Sequence, residues 1–272
     1  MMTGERQKNR STIRNALAFL LGILVSFVTF QTIIAFKGKE DAGLSGVLTR
    51  EYMVPEYLRQ VYSNKQKKGL KIELTRNVTL TNLHNYEQGA LKKWYNANNT
   101  TGFKLDDRGI CWATAQTSVI KFYGVMARPE ILCRDIINKA VAMGYYDEYK
   151  GFDVETAPLV MEAIFNKYSI KKEAELERYD IYAKLEKEAD KGRAVLFKIT
   201  GHEMGGGGYR RYKITWNGNS KGEVQKFVVC TDTWSNDYRD GQHLQFSWYP
   251  EREIGTGLFS RWNFGIVRVV DK

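Results

Sequence analysis

Apolar residues in this chain change their spacing partway along. Over residues 52–192 they recur mainly at helical intervals. From residue 194 onward they gather in short runs bounded by turn residues. Residues 52–66 read as helical, with Pro55 in the first turn. Residues 70–80 alternate apolar and polar as a strand does, residues 86–95 read as a helix, and residues 96–102 as a loop. Trp112, Ala115, Val119, Ile120 and Tyr123 fall on one face of the next helix, which Gly124 ends. Pro129 opens a further helix, with Ile131, Ile136, Ile137, Ala140 and Val141 largely inside and Gly144 at its end. Two more helices are predicted at residues 156–168 and 179–191, the second closed by Gly192. Strands are predicted at 194–200, 209–216, 224–231, 244–248 and 264–270, with 217–222 as a hairpin connection. Helices first and strands afterwards predict an α+β fold, an N-terminal helical part packed on a C-terminal antiparallel β-sheet.

One apolar run stands outside that pattern. Residues 15–36 carry no charge and are long enough to span a bilayer as a helix. Arg6, Lys8, Arg10 and Arg14 precede the run, whereas Lys37 and Lys39 after it are offset by Glu40 and Asp41. The positive-inside rule then puts the N-terminus in the cytoplasm and the remainder outside, in a single-pass cell-membrane protein. The rival is a cleaved signal peptide. The run is longer than a usual signal core and no A-x-A site follows, which favours an uncleaved anchor. The expected organisation is a cytoplasmic tail at 1–14, a transmembrane anchor at 15–36, a linker and helical lead-in at 37–69, and one domain at 70–272.

Composition narrows the chemistry. At 43% hydrophobic and 13% aromatic residues the chain can bury a core. The net charge of +10 is interleaved with acidic residues and no nucleic-acid motif is present, so no nucleic-acid partner is expected. Basic runs such as Lys65-Gln66-Lys67-Lys68 read as solvated helix ends, with anionic lipid or cell-surface polymer as the other reading. Three cysteines are too few for a disulfide framework. No C-x-x-C or H-E-x-x-H spacing occurs, and neither a metal nor another cofactor is expected.

Cys111 is the candidate nucleophile. It follows a Gly turn and opens a helix, where unpaired N–H groups and the helix dipole favour a thiolate. The plainer reading is a small buried residue. A thiol nucleophile needs a base and a group that orients the base. Among His84, His202 and His243, His202 is preferred because it lies past an apolar strand and before Gly205 to Gly208; His243 is the reserve. Asp232 ends the apolar run Phe227-Val228-Val229-Cys230 and suits the orienting role; a turn-forming Asp is the alternative. Trp234 either shields that pair from water or belongs to the core.

Cys111-Trp112-Ala113, followed by an amphipathic helix ending in Tyr123-Gly124, resembles the papain-like cysteine peptidases. The resemblance is to the divergent bacterial branch related to bacteriocin leader peptidases. Gly201-His202 after an apolar strand, Gly208-Tyr209, and Asp232-Thr233-Trp234 match that branch in order and spread over residues 100–235. The resemblance implies a papain-like fold and a Cys111–His202–Asp232 triad cleaving a peptide or protein substrate outside the cytoplasm. One departure stands out: the family has an oxyanion-donating Gln about half a dozen residues before its cysteine. Here Lys104-Leu105-Asp106-Asp107-Arg108 holds no Gln or Asn, and an ionised Asp cannot donate. Arg108 or the Cys111 backbone N–H are the remaining donors; losing one donor typically costs about a hundred- to a thousand-fold in rate. Two other functions use the same residues: a transglutaminase-like acyltransferase, and a non-catalytic peptide- or cell-wall-binding module on this scaffold.

Residues 15–36 are expected to stay attached. N-terminal sequencing of the membrane fraction should find no mature chain that begins after Phe36, and such a chain would overturn the anchor.

Overall fold

The structure, a computed structural model, describes residues 53–105, 109–147, 152–178, 180–199, 202–231, 247–250 and 265–272. The chain divides into two units, Met1–Leu44 and Ser45–Lys272, and every described residue belongs to the second. The run at 15–36 therefore lies outside the described residues. Among those that are described, no helix is long and apolar enough to cross a membrane.

Six α-helices occur among the described residues: α1 (Met53–Val61), α2 (Gln88–Asn98), α3 (Cys111–Phe122), α4 (Pro129–Ala142), α5 (Ala157–Lys167) and α6 (Ile181–Asp190). Short 3-10 turns at Ser63–Lys68 and Val154–Thr156 follow α1 and precede α5. The strands are β1 (Lys71–Thr79), β2 (Lys172–Glu177), β3 (Val195–Ile199), β4 (His202–Trp216), β5 (Asn219–Thr231), β6 (Ser247–Pro250) and β7 (Gly265–Asp271). They form one sheet in the order β2-β7-β3-β4-β5-β6, and β1 also pairs with β4. Every pairing is antiparallel. The α+β class and the antiparallel sheet are thus as expected.

The core has two sides because strand side chains alternate. Ala194, Leu196, Val267 and Val269 point to the face that α2 to α5 cover. Val195, Phe197, Met204, Val228, Cys230 and Ile266 point the other way, against Ile181, Tyr182, Leu185 and Ala189 of α6. Val54, Tyr57, Leu58 and Tyr62 pack on Tyr212, Ile214, Phe227 and Val229, so the helical lead-in covers part of the sheet itself.

Three elements differ from expectation. Residues 172–177 were not anticipated as a strand, because Lys172, Glu173, Glu175 and Glu177 mask any apolar signal. Antiparallel pairing with β7 makes it one: Glu175 lies opposite Arg268 and bonds it at 2.7 Å, while Ala174 and Leu176 turn toward the helices. With β1 also ahead of most helices, strands are interspersed among the helices rather than gathered after them. Gly205 to Gly208 lie inside a 15-residue strand, not in a loop. The hairpin turn shortens to Asn217 and Gly218, with φ +92° at the glycine.

Strand β4 is the hub. Its residues His202 to Gly206 pair with β3, its residues Gly208 to Thr215 pair with β1 along that same edge, and β5 takes the opposite edge. The handover from β3 to β1 falls at Gly208, where φ is +153°. A Cβ there would collide with the Val78 carbonyl oxygen. Glycine alone meets both demands.

Gly208→Ala should therefore destabilise the fold by about 2 kcal/mol or more. Urea unfolding measures it, and an unchanged midpoint would contradict this account of the handover.

Candidate active site

Helix α3 begins at Cys111, and its N-cap is Ile110, a buried residue without a side-chain oxygen. No acidic residue occupies the first turn. Among the described residues, the amides there receive no side-chain cap and the first turn supplies no carboxylate. Three of its buried polar residues bond to the helix itself, whereas the side-chain amide of Gln116, also buried, has no hydrogen-bond partner among the described residues. Thr114, Thr117 and Ser118 donate to the carbonyls of Ile110, Ala113 and Thr114, at 3.0, 2.7 and 3.2 Å. Trp112 fixes the helix start laterally. Its ring stacks on Phe152 at 4.1 Å and 7°, and Tyr146 lies 5.0 Å away.

The three thiols differ in surroundings. Cys111 is half-buried, whereas Cys133 and Cys230 are buried. Burial pushes the Cys133 thiol up to about 12. The Cys230 sulfur lies 3.8 Å from Met204 Sδ in the second core cluster.

Two contacts fix the direction of α3 on the sheet. At its C-terminal end, the Tyr123 hydroxyl donates to the Ala194 carbonyl at 2.6 Å, just before β3. One turn earlier, Val119 lies against Gly205, where an added Cβ would stand 3.2 Å from Val119 Cγ2. Ala194 adjoins Val195, which pairs with Gly206. Stepping back from Tyr123 to Val119 on the helix therefore matches stepping back from Gly206 to Gly205 on β4. Continuing the same way, Cys111 lies about 12 Å beyond Val119 along the helix. His202 lies about 10 Å beyond Gly205 along the strand. The start of α3 and the start of β4 thus occupy the same end of the helix-on-sheet layer. His202 is buried there as the first residue of β4, and alternation with Glu203 turns its side chain, like that of Met204, to the α6 face and not toward α3. Asp232, the reserve His243, Trp234 and Arg108 lie outside the described residues.

Sequence reasoning passed over Glu203. Gly205 faces Val119, so alternation turns Glu203, two positions earlier, to the same helix-covered side. Glu203 is 2% exposed, and its Oε2 has no hydrogen-bond partner among the described residues. Lys198 faces it across the β3–β4 pair, with Nζ 3.9 Å from Oε1. Burial pushes the Glu203 carboxyl up to about 7. Lys198 and His202 pull it down, and Asp153 adds to the rise. The signal in the sequence was the symmetric placement of Lys198 and Glu203 on either side of Thr200-Gly201, beside otherwise apolar runs. Among the described residues, no three His, Cys, Asp or Glu side chains cluster closely enough to hold a metal ion.

No family model matches the chain, and no curated protein matches it.

Folded Glu203 keeps its proton to about pH 7, whereas an unfolded glutamate loses it near pH 4. The contribution of this group to stability is therefore full at pH 4 and below, and is lost as the pH rises to 7. Glu203→Gln, which stays neutral, should match the wild type at pH 4. At pH 8.5 it should be more stable by on the order of 1–3 kcal/mol. Denaturant titrations at the two pH values measure this; an equal difference at both would contradict the burial account.

Proposed function

We propose that the chain is a membrane-anchored cysteine peptidase with a papain-like fold, acting outside the cytoplasm. The observation that carries the reading is Cys111 at the start of a buried helix that has no side-chain cap among the described residues, half-exposed while the other two thiols are buried. A thiolate at such a helix start is favoured by the dipole and by free N–H groups. His202 is the base in this reading on the strength of its sequence context; strand alternation turns its side chain, like that of Met204, to the α6 face, so the imidazole meets Cys111 around the end of the sheet and not through the helix-on-strand contact. In the reaction, Cys111 Sγ bonds to the substrate carbonyl carbon and its proton goes to His202. The imidazolium then gives that proton to the departing amine, leaving a thioester on Cys111. Water adds to the thioester with His202 as base, releasing the acid and restoring the thiol. Asp232 holds the imidazole in one tautomer and stabilises its charged form. The backbone N–H of Cys111 and the Arg108 side chain are the candidate oxyanion donors.

A second reading, a non-catalytic peptide- or wall-binding module, draws on the lack of a Gln or Asn at residues 104–108. An acyltransferase differs from the peptidase only in whether an amine or water takes the acyl group from the thioester.

Reactivity separates these readings. Iodoacetamide should label Cys111 at least tenfold faster than Cys133 or Cys230, and an electrophilic peptide probe should trap the wild type but not Cys111→Ala. Equal labelling of the three thiols in the folded protein would overturn the peptidase reading. Labelling of Cys111 without trapping would favour the binding module.

A further inference from the structure

Away from the start of α3, the tip of the β4–β5 hairpin carries positive charge that nothing on the molecule neutralises among the described residues. Residues 63–71 and 213–222 contain six lysines, Lys65, Lys67, Lys68, Lys71, Lys213 and Lys221, and no Asp or Glu. None of the six forms an ion pair among the described residues, whereas Lys184, Lys191, Arg211 and Arg268 all face carboxylates. Lys67, Lys68, Lys71 and Lys221 are exposed. We propose that this tip is a docking surface for the anionic phospholipid headgroups of the membrane that carries residues 15–36. This inference rests on the reading of residues 15–36 as a membrane anchor.

Tertiary contacts bring these lysines together from two distant segments. In the hairpin turn the Asn217 N–H donates to the Lys68 carbonyl at 2.7 Å, and Gly69, with φ +71°, lies against the Asn217 side chain. Lys71 is opposite Thr215 across the β1–β4 pair, and Gly222, next to Lys221, is packed against Thr215 as well. Half-buried Trp216 joins the two segments: its ring lies 6.0 Å from that of Tyr62, and Lys65 Nζ stands 5.3 Å over it. The nearest acid on β5 is already engaged, since the Tyr62 hydroxyl donates to Glu223 at 2.7 Å and accepts from Gln225 at 2.6 Å. Glu73 of β1 is opposite Lys213 in register, yet no ion pair joins them among the described residues.

Like charges held together repel, and an anionic partner relieves the repulsion. A phospholipid surface fits on three counts. Lysines each add to the attraction for anionic headgroups, so a spread of exposed ammonium groups suits a spread of phosphates. An indole with one side packed and the other wet suits the headgroup level. The third count separates lipid from a dissolved polymer or protein. Residues 37–52, at most about 55 Å long when extended, and α1 are all that separate the anchor from Ser63, so the tip meets this membrane at high effective concentration.

The test places the full chain in nanodiscs of phosphatidylcholine alone, or of phosphatidylcholine and phosphatidylglycerol in equal parts, and maps trace acetylation of lysines by mass spectrometry. At low salt, Lys67, Lys68, Lys71 and Lys221 should react roughly threefold or more slowly in the phosphatidylglycerol discs, while Lys139, exposed on α4, should not change. High salt should erase the difference. Replacing three exposed lysines together, Lys67→Gln, Lys68→Gln and Lys71→Gln, should remove the protection of Lys221. Equal acetylation in the two discs, or protection of Lys221 that survives in the triple variant, would overturn the proposal. Protection by dissolved polyphosphate with none in the phosphatidylglycerol discs would also overturn it, and would assign the tip to an anionic polymer. Failure of the anchor reading shows differently, because the chain would then co-purify with neither disc. Phosphatidylglycerol vesicles should in that case still sediment the chain through the same lysines, and phosphatidylcholine vesicles should not. Sedimentation with neither would overturn the docking itself.

Discussion

The close approach of α3 to β4 at Gly205 is the contact on which the rest of the structure depends. A side chain at Gly205 would meet Val119 Cγ2 and Thr231 Oγ1. Without one, the helix lies directly on the strand, and Ala113, Ala115, Val119 and Ile120 close the main core. The Thr231 hydroxyl uses the same gap to accept from the Gly205 N–H at 2.9 Å, which ties β5 to β4 at this level. A helix that packs this closely cannot slide without losing many short-range contacts. The register of α3 on β4 in turn decides which residues share the end of the layer where Cys111 and His202 stand.

Strand β4 carries several further demands. Its first part is paired with β3, its second part with β1, and its other edge, from Gly205 to Trp216, with β5. The four glycines from Gly205 to Gly208 sit where these demands meet. Gly206 lies so close to Leu185, Val195 and Phe197 that α6 and β3 also depend on the lack of a side chain. Glycine in a strand is entropically costly, and here the cost is offset by helices packed closely on both faces.

Charge is arranged with similar economy. On the α6 side, Arg268 bonds Glu175 and Glu177 and approaches Glu188 at 3.6 Å, which binds an edge strand of mostly charged residues to the sheet. Arg211 forms a two-pronged pair with Glu186 of α6, at 2.8 and 2.6 Å. Asp135, buried in α4, takes bonds from Lys167 and from the Tyr168 hydroxyl, and so joins α4 to the end of α5. The partners of Glu186 and Asp135 satisfy those carboxylates, whereas Glu188 keeps Oε2 without a hydrogen-bond partner among the described residues. Glu203 is likewise incompletely satisfied, because Lys198 stands at 3.9 Å, too far off to bond.

Much of the fold was legible in the sequence because local signals act over a few residues. Pro129 at a helix start, Gly124, Gly144 and Gly192 at helix ends, and the apolar face of α3 report conformations set by sterics and by burial of one side. The position of Cys111 at a helix start was legible for the same reason, whereas its partial exposure was not. The strand at Lys172–Glu177 was not, since its stability comes from Arg268 nearly a hundred residues away. Gly205 to Gly208 read as a loop because glycine favours loops. Only close packing by α3, α6 and β1 makes them strand. The sequence by itself determined the helices, the class of the fold and the thiol at the helix start. Tertiary structure alone decided that Glu203 is buried beside His202 with Lys198 opposite, because burial and charge pairing depend on neighbours that strand register brings together.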